Sequence, residues 1–409
     1  MARLRCFAGL VIGISLGVAG PASADAVTDW NARTMTCAGV NRPGVPGLLD
    51  VAIVQAAVHD AVQAIQGRFE AYRYHNPSRL GVGSPAAAAA AASYRMLVGL
   101  YGAANVCMAG AVDPAVTYAG DAGLQAGYEA AAALLPLYRP FFLLPTDPFL
   151  GGTAPGEWRP TPGVTQGVNT FMAATEPFVL LRPSQFRPEP AYPLTSEAYA
   201  RDYDEVKTLG AAASTTRTPE QTDMARFWTA FGPQWFGALR GIANANVPDI
   251  GDKARLFALV ALSVTDSQIT VYDTKYHYNF WRPITAIREG DNDGNPSTIG
   301  DATWTPFLLT PPYPDHSSGA NCITGAITTI LKLFFGTDEF AFSVSSPNPG
   351  LVTNPRSFTR FSEAAQEVVD VRIYQGIHFR RADELGRIQG ARVAHWTFQR
   401  FLRPVPGTN

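Results

Sequence analysis

Apolar side chains recur every three to four positions in nine stretches of the chain: 46–66, 85–108, 118–135, 197–209, 219–238, 251–282, 318–335, 362–375 and 383–402. That period places one face of an α-helix against a core. No stretch alternates apolar and polar residues for long enough to predict a sheet, so the expected fold class is all-α, a helical bundle. Gly- and Pro-rich stretches at 136–168 and 180–194 read as loops. The second, with Pro183, Pro188, Pro190 and Pro193, is expected to join two halves, 25–195 and 196–409. An internal echo links "LLDVAIVQAAVHDAVQAI" (48–65) and "ARLFALVALSVTDSQITVYD" (254–273), each an apolar helix interrupted by a polar pair, His59-Asp60 or Thr265-Asp266. Two related four-helix-bundle halves would produce it, and so would two buried helices of similar composition. A structural role for His59-Asp60, a hydrogen bond to the other half, is the expectation.

Composition changes this picture mainly at the N-terminus. Arg3 and Arg5, an apolar run from Cys6 to Ala19 and the small residues before Asp25 read as an export signal over 1–24. The expected location is periplasmic or secreted, with no membrane span in the mature chain. Losing two arginines takes the formal charge from −2 to −4, which argues against a nucleic-acid partner. Cys37, Cys107 and Cys322 then remain in an oxidising compartment, and pairing of Cys37 with Cys107 stays open. At 409 residues and 46% hydrophobic, the chain can bury a large core.

The candidate chemistry begins with "DTKYHYNFWRPITAIR" (273–288), where Lys275 and Arg282 stand among aromatic residues. Seven residues on a continuous helix are almost two turns, so both cations are expected on one face, with Pro283 closing the helix or capping the next segment. Buried cations demand an anionic partner, and no carboxylate lies at an obvious intrahelical position. "PPYPDHSSGANC" (311–322) then leads into a helix near Ser318, whose hydroxyl and the N–H of Gly319 suit an anion. "VRIYQGIHFRRAD" (371–383) adds Arg372, a planar fork for oxyanions, and His378, able to act as nucleophile, base or metal ligand.

In this order the three elements resemble the signature of the vanadium-dependent haloperoxidases, K-x6-R-P, P-S-G-H and S-R-x5-H-x3-D. That family shares its fold and site with the type 2 phosphatidic acid phosphatases and the bacterial class A acid phosphatases. The aromatic wording of 275–288 and "VHDAVQAIQGRFEAY" (58–72) resemble the soluble bacterial branch. The resemblance implies that Lys275, Arg282, Ser318, Gly319 and Arg372 hold the oxygens of vanadate, with phosphate able to take the same place. It also implies that His378 is the metal ligand, or the nucleophile in a phosphatase. The implied small molecules are hydrogen peroxide, a halide and an organic acceptor, or a phosphate ester.

The pattern breaks in three places. Ala320 stands where the signature has its acid-base histidine, leaving His316 as the nearest substitute and His277 as another. Val371 replaces the serine before the arginine. Asp383 comes five residues after His378 rather than four, and reads either as the carboxylate that orients the imidazole or as the cap of the last helix. Three functions are open: a haloperoxidase, an acid phosphatase with a phosphohistidine intermediate, or an oxyanion binder without catalysis. "EGDNDGNPS" (289–297) reads as an Asx-rich turn rather than a calcium loop, and Cys322 as a buried, inert thiol.

Overall fold

The computed structural model describes residues 25–138 and 148–407; the expected export signal and part of the first loop lie outside the described residues. Thirteen α-helices appear among the described residues. The first five are α1 (Ala26–Asn41), α2 (Pro46–Gln66), α3 (Pro85–Tyr101), the single turn α4 (Pro114–Thr117) and α5 (Gly123–Leu134). After the loop region come α6 (Glu197–Leu209), α7 (Pro219–Phe227), α8 (Phe231–Asn246), α9 (Ile250–Tyr278) and α10 (Pro283–Arg288). The chain closes with α11 (Gly319–Phe335), α12 (Phe361–Tyr374) and α13 (Arg380–Arg400). The all-α expectation holds, with one addition. Glu339–Val344 (β1) and Arg356–Arg360 (β2) pair as an antiparallel hairpin. Phe340, Phe342 and Val344 do alternate with exposed neighbours in β1, but over a single six-residue stretch that a search for sustained alternation passes over.

Helix boundaries obey local chemistry. Ser84 accepts from the backbone N–H of Ala87 ahead of Pro85 in the first turn of α3, and Thr218 with Gln221 forms a capping box on α7. The expected helix 219–238 divides at Trp228, where Gln234 turns back to bond the Phe227 carbonyl and the Ala230 N–H. Helix α1 escapes the apolar pattern because its buried face includes Thr28, Asn31 and Thr34.

The largest correction concerns α9, which ends at Tyr278 rather than 282. Asn279 takes the left-handed conformation (φ 50°) that terminates it, and Arg282 becomes the extended N-cap of α10 with Pro283 at its first position. Lys275 and Arg282 therefore do not share a helical face; the turn between them brings them together.

One apolar core draws on residues from Val27 to Leu402, with α2 packed along α9 and α11 wedged between α9 and α13. By length and composition α2 and α9 could cross a membrane, yet the most apolar 18-residue window of each is buried inside the protein. The crossing of α13 over α11 is close because Gly386 and Gly390 face the Ser318 and Cys322 carbonyls, where a Cβ would stand 2.5 and 2.0 Å away. That approach seats Ser318 against Ala382, whose carbonyl accepts the Ser318 N–H at 2.9 Å. The Cys37–Cys107 disulfide forms and ties α1 to the segment after α3.

Candidate functional site

Four cationic or titratable side chains named from the sequence converge at the end of α9. Lys275, in its last turn, is fully buried and donates to the carbonyls of Pro314 (2.8 Å) and Asp315 (2.9 Å). Arg282 is fully buried too, donating to the carbonyls of Tyr313 (2.8 Å) and Ile377 (2.6 Å). Both cations lie over the Tyr313 ring, at 5.0 and 4.9 Å from its centroid. His378, in the short turn between α12 and α13, is 1% exposed, with the Arg282 Nη1 at 3.4 and 3.2 Å from its two ring nitrogens. Arg372, in the last turn of α12, hydrogen-bonds the Gln375 side chain and lies over Phe231.

Burial and mutual repulsion shape the charges. Burial, then Arg282, holds the Lys275 ammonium well below the usual lysine range, and burial with the three cations holds His378 neutral. Burial brings Arg372 down to about 10. These groups are electron-deficient and under-neutralised, the condition that an incoming anion relieves.

The residues fit a tetrahedral oxyanion. Among the described residues, Arg282 Nη2 and Arg372 Nε are buried with no partner. Ser318 is the N-cap of α11 but its side chain makes no capping bond, so the first N–H groups of α11, Gly319 included, are left uncapped. Uncapped N–H groups beside partnerless guanidinium donors suit vanadate or phosphate.

A 510 Å³ cavity opens onto this cluster, lined at its polar end by Lys275, Gln268, Gly319 and Arg372. Ala320 is also on that wall. Arg282, Ser318 and His378 stand fully buried behind it. An anion reaching them must compete for cations that now bond backbone carbonyls.

His316 is not brought to the cavity. Its Nε2 lies 2.8 Å from the Glu189 carbonyl, its ring faces Tyr278, and burial pushes its pKa down to about 4. His277 is exposed at the surface. Neither of the two histidines proposed as substitutes for the one missing at 320 stands on the cavity wall.

Asp383 takes neither of its two expected roles. It lies inside the first turn of α13, whose N-cap is Phe379, and it accepts from Asn321 Nδ2 at 2.9 Å. The carboxylate at His378 is Asp315, with Oδ1 2.7 Å from Nδ1. Reading the sequence missed it. The available signal was a single acid inside a proline run that the cation helix had to meet. Among the other residues weighed, Cys322 is buried with its thiol pushed up to about 12. Asp293 and Asn295 are engaged in turn hydrogen bonds at 2.8 and 3.0 Å. His59 bonds the Glu70 carbonyl (3.0 Å), in its own half rather than the other.

In sequence and in fold the chain is similar to known proteins. Residues 255–407 match the family described as VCPO second helical-bundle domain. Vanadium chloroperoxidase from Curvularia inaequalis is 29% identical over 155 residues, which is 31% of this chain and 24% of that protein. The match thus spans about a quarter of its length. In fold, the crystal structure of the first bacterial vanadium-dependent iodoperoxidase superposes with a TM-score of 0.76 at 22% identity, covering 94% of this chain and 99% of that one. An apo bacterial vanadium-dependent chloroperoxidase gives 0.65 at 17% identity, covering 86% and 92%. Residues 255–407 are thus similar to the second helical-bundle domain of vanadium chloroperoxidase, and the described chain has the all-helical fold of the bacterial vanadium haloperoxidases.

Proposed function

We propose that the protein is an exported, vanadate-dependent peroxidase of the haloperoxidase type, using hydrogen peroxide to oxidise a halide that then halogenates an organic acceptor. The observation that carries this reading is the burial of Lys275, Arg282, Arg372 and His378 around the uncapped start of α11. Vanadate, when bound, supplies Lewis acidity toward peroxide without changing its redox state. The chain's part is to hold it. Lys275, Arg282 and Arg372 neutralise its oxygens, Ser318 and the Gly319 N–H complete the cradle, and His378 offers a neutral imidazole nitrogen as the metal ligand. The Cys37–Cys107 disulfide supports an oxidising compartment.

Ala320 favours a second reading, an oxyanion binder without turnover. The titratable groups on the cavity wall are Arg42, Tyr272, Lys275, Tyr313 and Arg372, with no histidine or carboxylate among them to take the part of the acid-base histidine that the family places there. The deciding experiment is iodide and bromide oxidation by hydrogen peroxide, with protein stripped of phosphate, before and after adding orthovanadate. Oxidation that appears only with vanadate supports the peroxidase. Silence accompanied by hydrolysis of an aryl phosphate through a phosphohistidine would replace it with a phosphatase, and silence in both assays with retained vanadate binding would leave the binder.

A further inference from the structure

The cavity that opens onto the cradle is far larger than an oxyanion needs, and most of its wall has a different character. Met35 and Ala38 of α1, Leu48 and Val51 of α2, Phe231 and Ile323 line it, so the first and last thirds of the chain both contribute. No carboxylate stands on this wall, and Arg42, its charge away from the cradle, is engaged by Asp50 and Tyr138. A 510 Å³ space with apolar walls and few polar groups has the size and character that take up a small organic molecule.

One polar side chain at the cradle end of this space is only half used. Gln268, 1% exposed and almost two turns before Lys275 on α9, donates from Nε2 to the Gly319 carbonyl at 3.0 Å. That bond fixes which way the amide points, and its Oε1, an acceptor, has no hydrogen-bond partner among the described residues. Oε1 would stand 3.2 Å from a Cβ added at Gly319, which places it beside the first turn of α11, at the polar end of the cavity. An acceptor left without a donor in a covered place is costly, and a hydroxyl on a ligand relieves it.

We propose that this chamber binds the organic acceptor, and that the acceptor is a phenol: its ring lies against the apolar wall and its hydroxyl donates to Gln268 Oε1. The binding site stands on the geometry; its part in turnover rests on the proposed function. There, peroxide, halide and a proton give hypohalous acid and water. A ring carbon made electron-rich by the hydroxyl then bonds the halogen as the halogen–oxygen bond breaks, and the displaced ring proton joins the released hydroxide as water. Gln268 is thereby the specificity-determining residue of the chamber.

Equilibrium dialysis of the protein against para-cresol and against its methyl ether, with inorganic phosphate present to occupy the cations, tests the site without turnover. Cresol binds about 10-fold more tightly than the ether, the scale of one hydrogen bond to a covered acceptor, and Gln268→Leu removes the difference. Gly39→Phe, at a wall position where an added Cβ meets nothing within 4 Å, narrows the chamber and weakens both ligands alike. Absence of cresol binding, or equal affinity of wild-type protein for cresol and ether, overturns the proposal whether or not a variant folds. Release of cresol as phosphate is raised also overturns it, since the phenol would then sit on the cations. In vanadate-loaded protein the halogenation rate saturates at the measured cresol affinity; a rate set by halide and peroxide alone sinks the part in turnover. If vanadate brings no halide oxidation at all, the peroxidase reading fails by itself, and dialysis still decides the phenol site.

Discussion

Helices α2 and α9 lie side by side in the core and carry the same fastener. Asp60 accepts three consecutive backbone N–H groups, from Tyr72 (2.6 Å), Arg73 (2.8 Å) and Tyr74 (2.7 Å). Asp266 does the same for Phe178 (2.8 Å), Val179 (2.7 Å) and Leu180 (2.8 Å). Each is the twelfth residue after the start of its apolar stretch, at Leu48 or Ala254. The helices differ in how far they continue past that aspartate. The first stops at Gln66, six residues on, at a left-handed Gly67; the second runs to Tyr278, twelve residues on, and delivers Lys275 into the cradle. A buried carboxylate here pins a loop to a helix, and the site depends on the turns of helix beyond the pin.

That comparison can be broken most severely at Lys275. Lys275→Ala removes one of three buried cations from beside Asp315, and truncating a member of a buried charge cluster costs ~2–5 kcal/mol. Vanadate and phosphate affinity should both fall by roughly 10² to 10³-fold in equilibrium dialysis. Phe69, at the position after α2 equivalent in sequence to Lys275, should tolerate Leu with no effect on either anion.

The fasteners themselves should behave alike. Asp60→Ala and Asp266→Ala each strand three backbone N–H groups, at ~1–3 kcal/mol for each buried unsatisfied donor. Denaturant melts should show losses of about 3 kcal/mol or more for both, with anion affinity of the folded fraction unchanged. A large loss at one aspartate and none at the other would end the equivalence.

A sharper contrast within the site comes from Ala320→His. Placing the family's acid-base group on the cavity wall should raise vanadate-dependent turnover by roughly 10² while changing vanadate affinity little. An unchanged rate would show that proton transfer is managed without it.

The smallest effect concerns His316, which burial and not anion chemistry governs. Its imidazole is neutral in the folded chain down to about pH 4, whereas the unfolded chain takes up a proton near the ordinary value of 6.5. Stability therefore falls as pH drops through this window, by roughly 3 kcal/mol at most. His316→Gln should flatten the stability profile between those limits, measured as the difference from wild type, without moving the pH dependence of anion binding. A shift in the latter would return His316 to the site.

How much of this was legible depends on the range of each interaction. Helical period and caps act within a few residues, so α2, α6 and most of α9, α11, α12 and α13 could be read directly. Lys275, Arg282, Arg372 and His378 were visible because aromatic neighbours make such charges anomalous and because their order resembles a family signature. The break at Asn279 was not visible: a helix of this apolarity continues unless one residue takes a left-handed turn, and Asn permits that turn without requiring it. The division at Trp228 has the same character, set by Gln234 bonding back to the chain.

Sequence alone determined the helical class and marked three of the segments whose buried cations meet, since periodicity and uncompensated charge are properties of the residues themselves. Tertiary structure decided which carboxylate faces His378. Asp383 is closer to it in the chain, but α13 crosses α11 at glycine contact distance and turns Asp383 toward Asn321, while two cations hold the proline loop so that Asp315, 63 residues upstream, arrives at 2.7 Å. It also drew His316 to the Glu189 carbonyl and left Ala320 on the cavity wall. Such choices depend on packing between elements far apart in sequence, which no local pattern encodes.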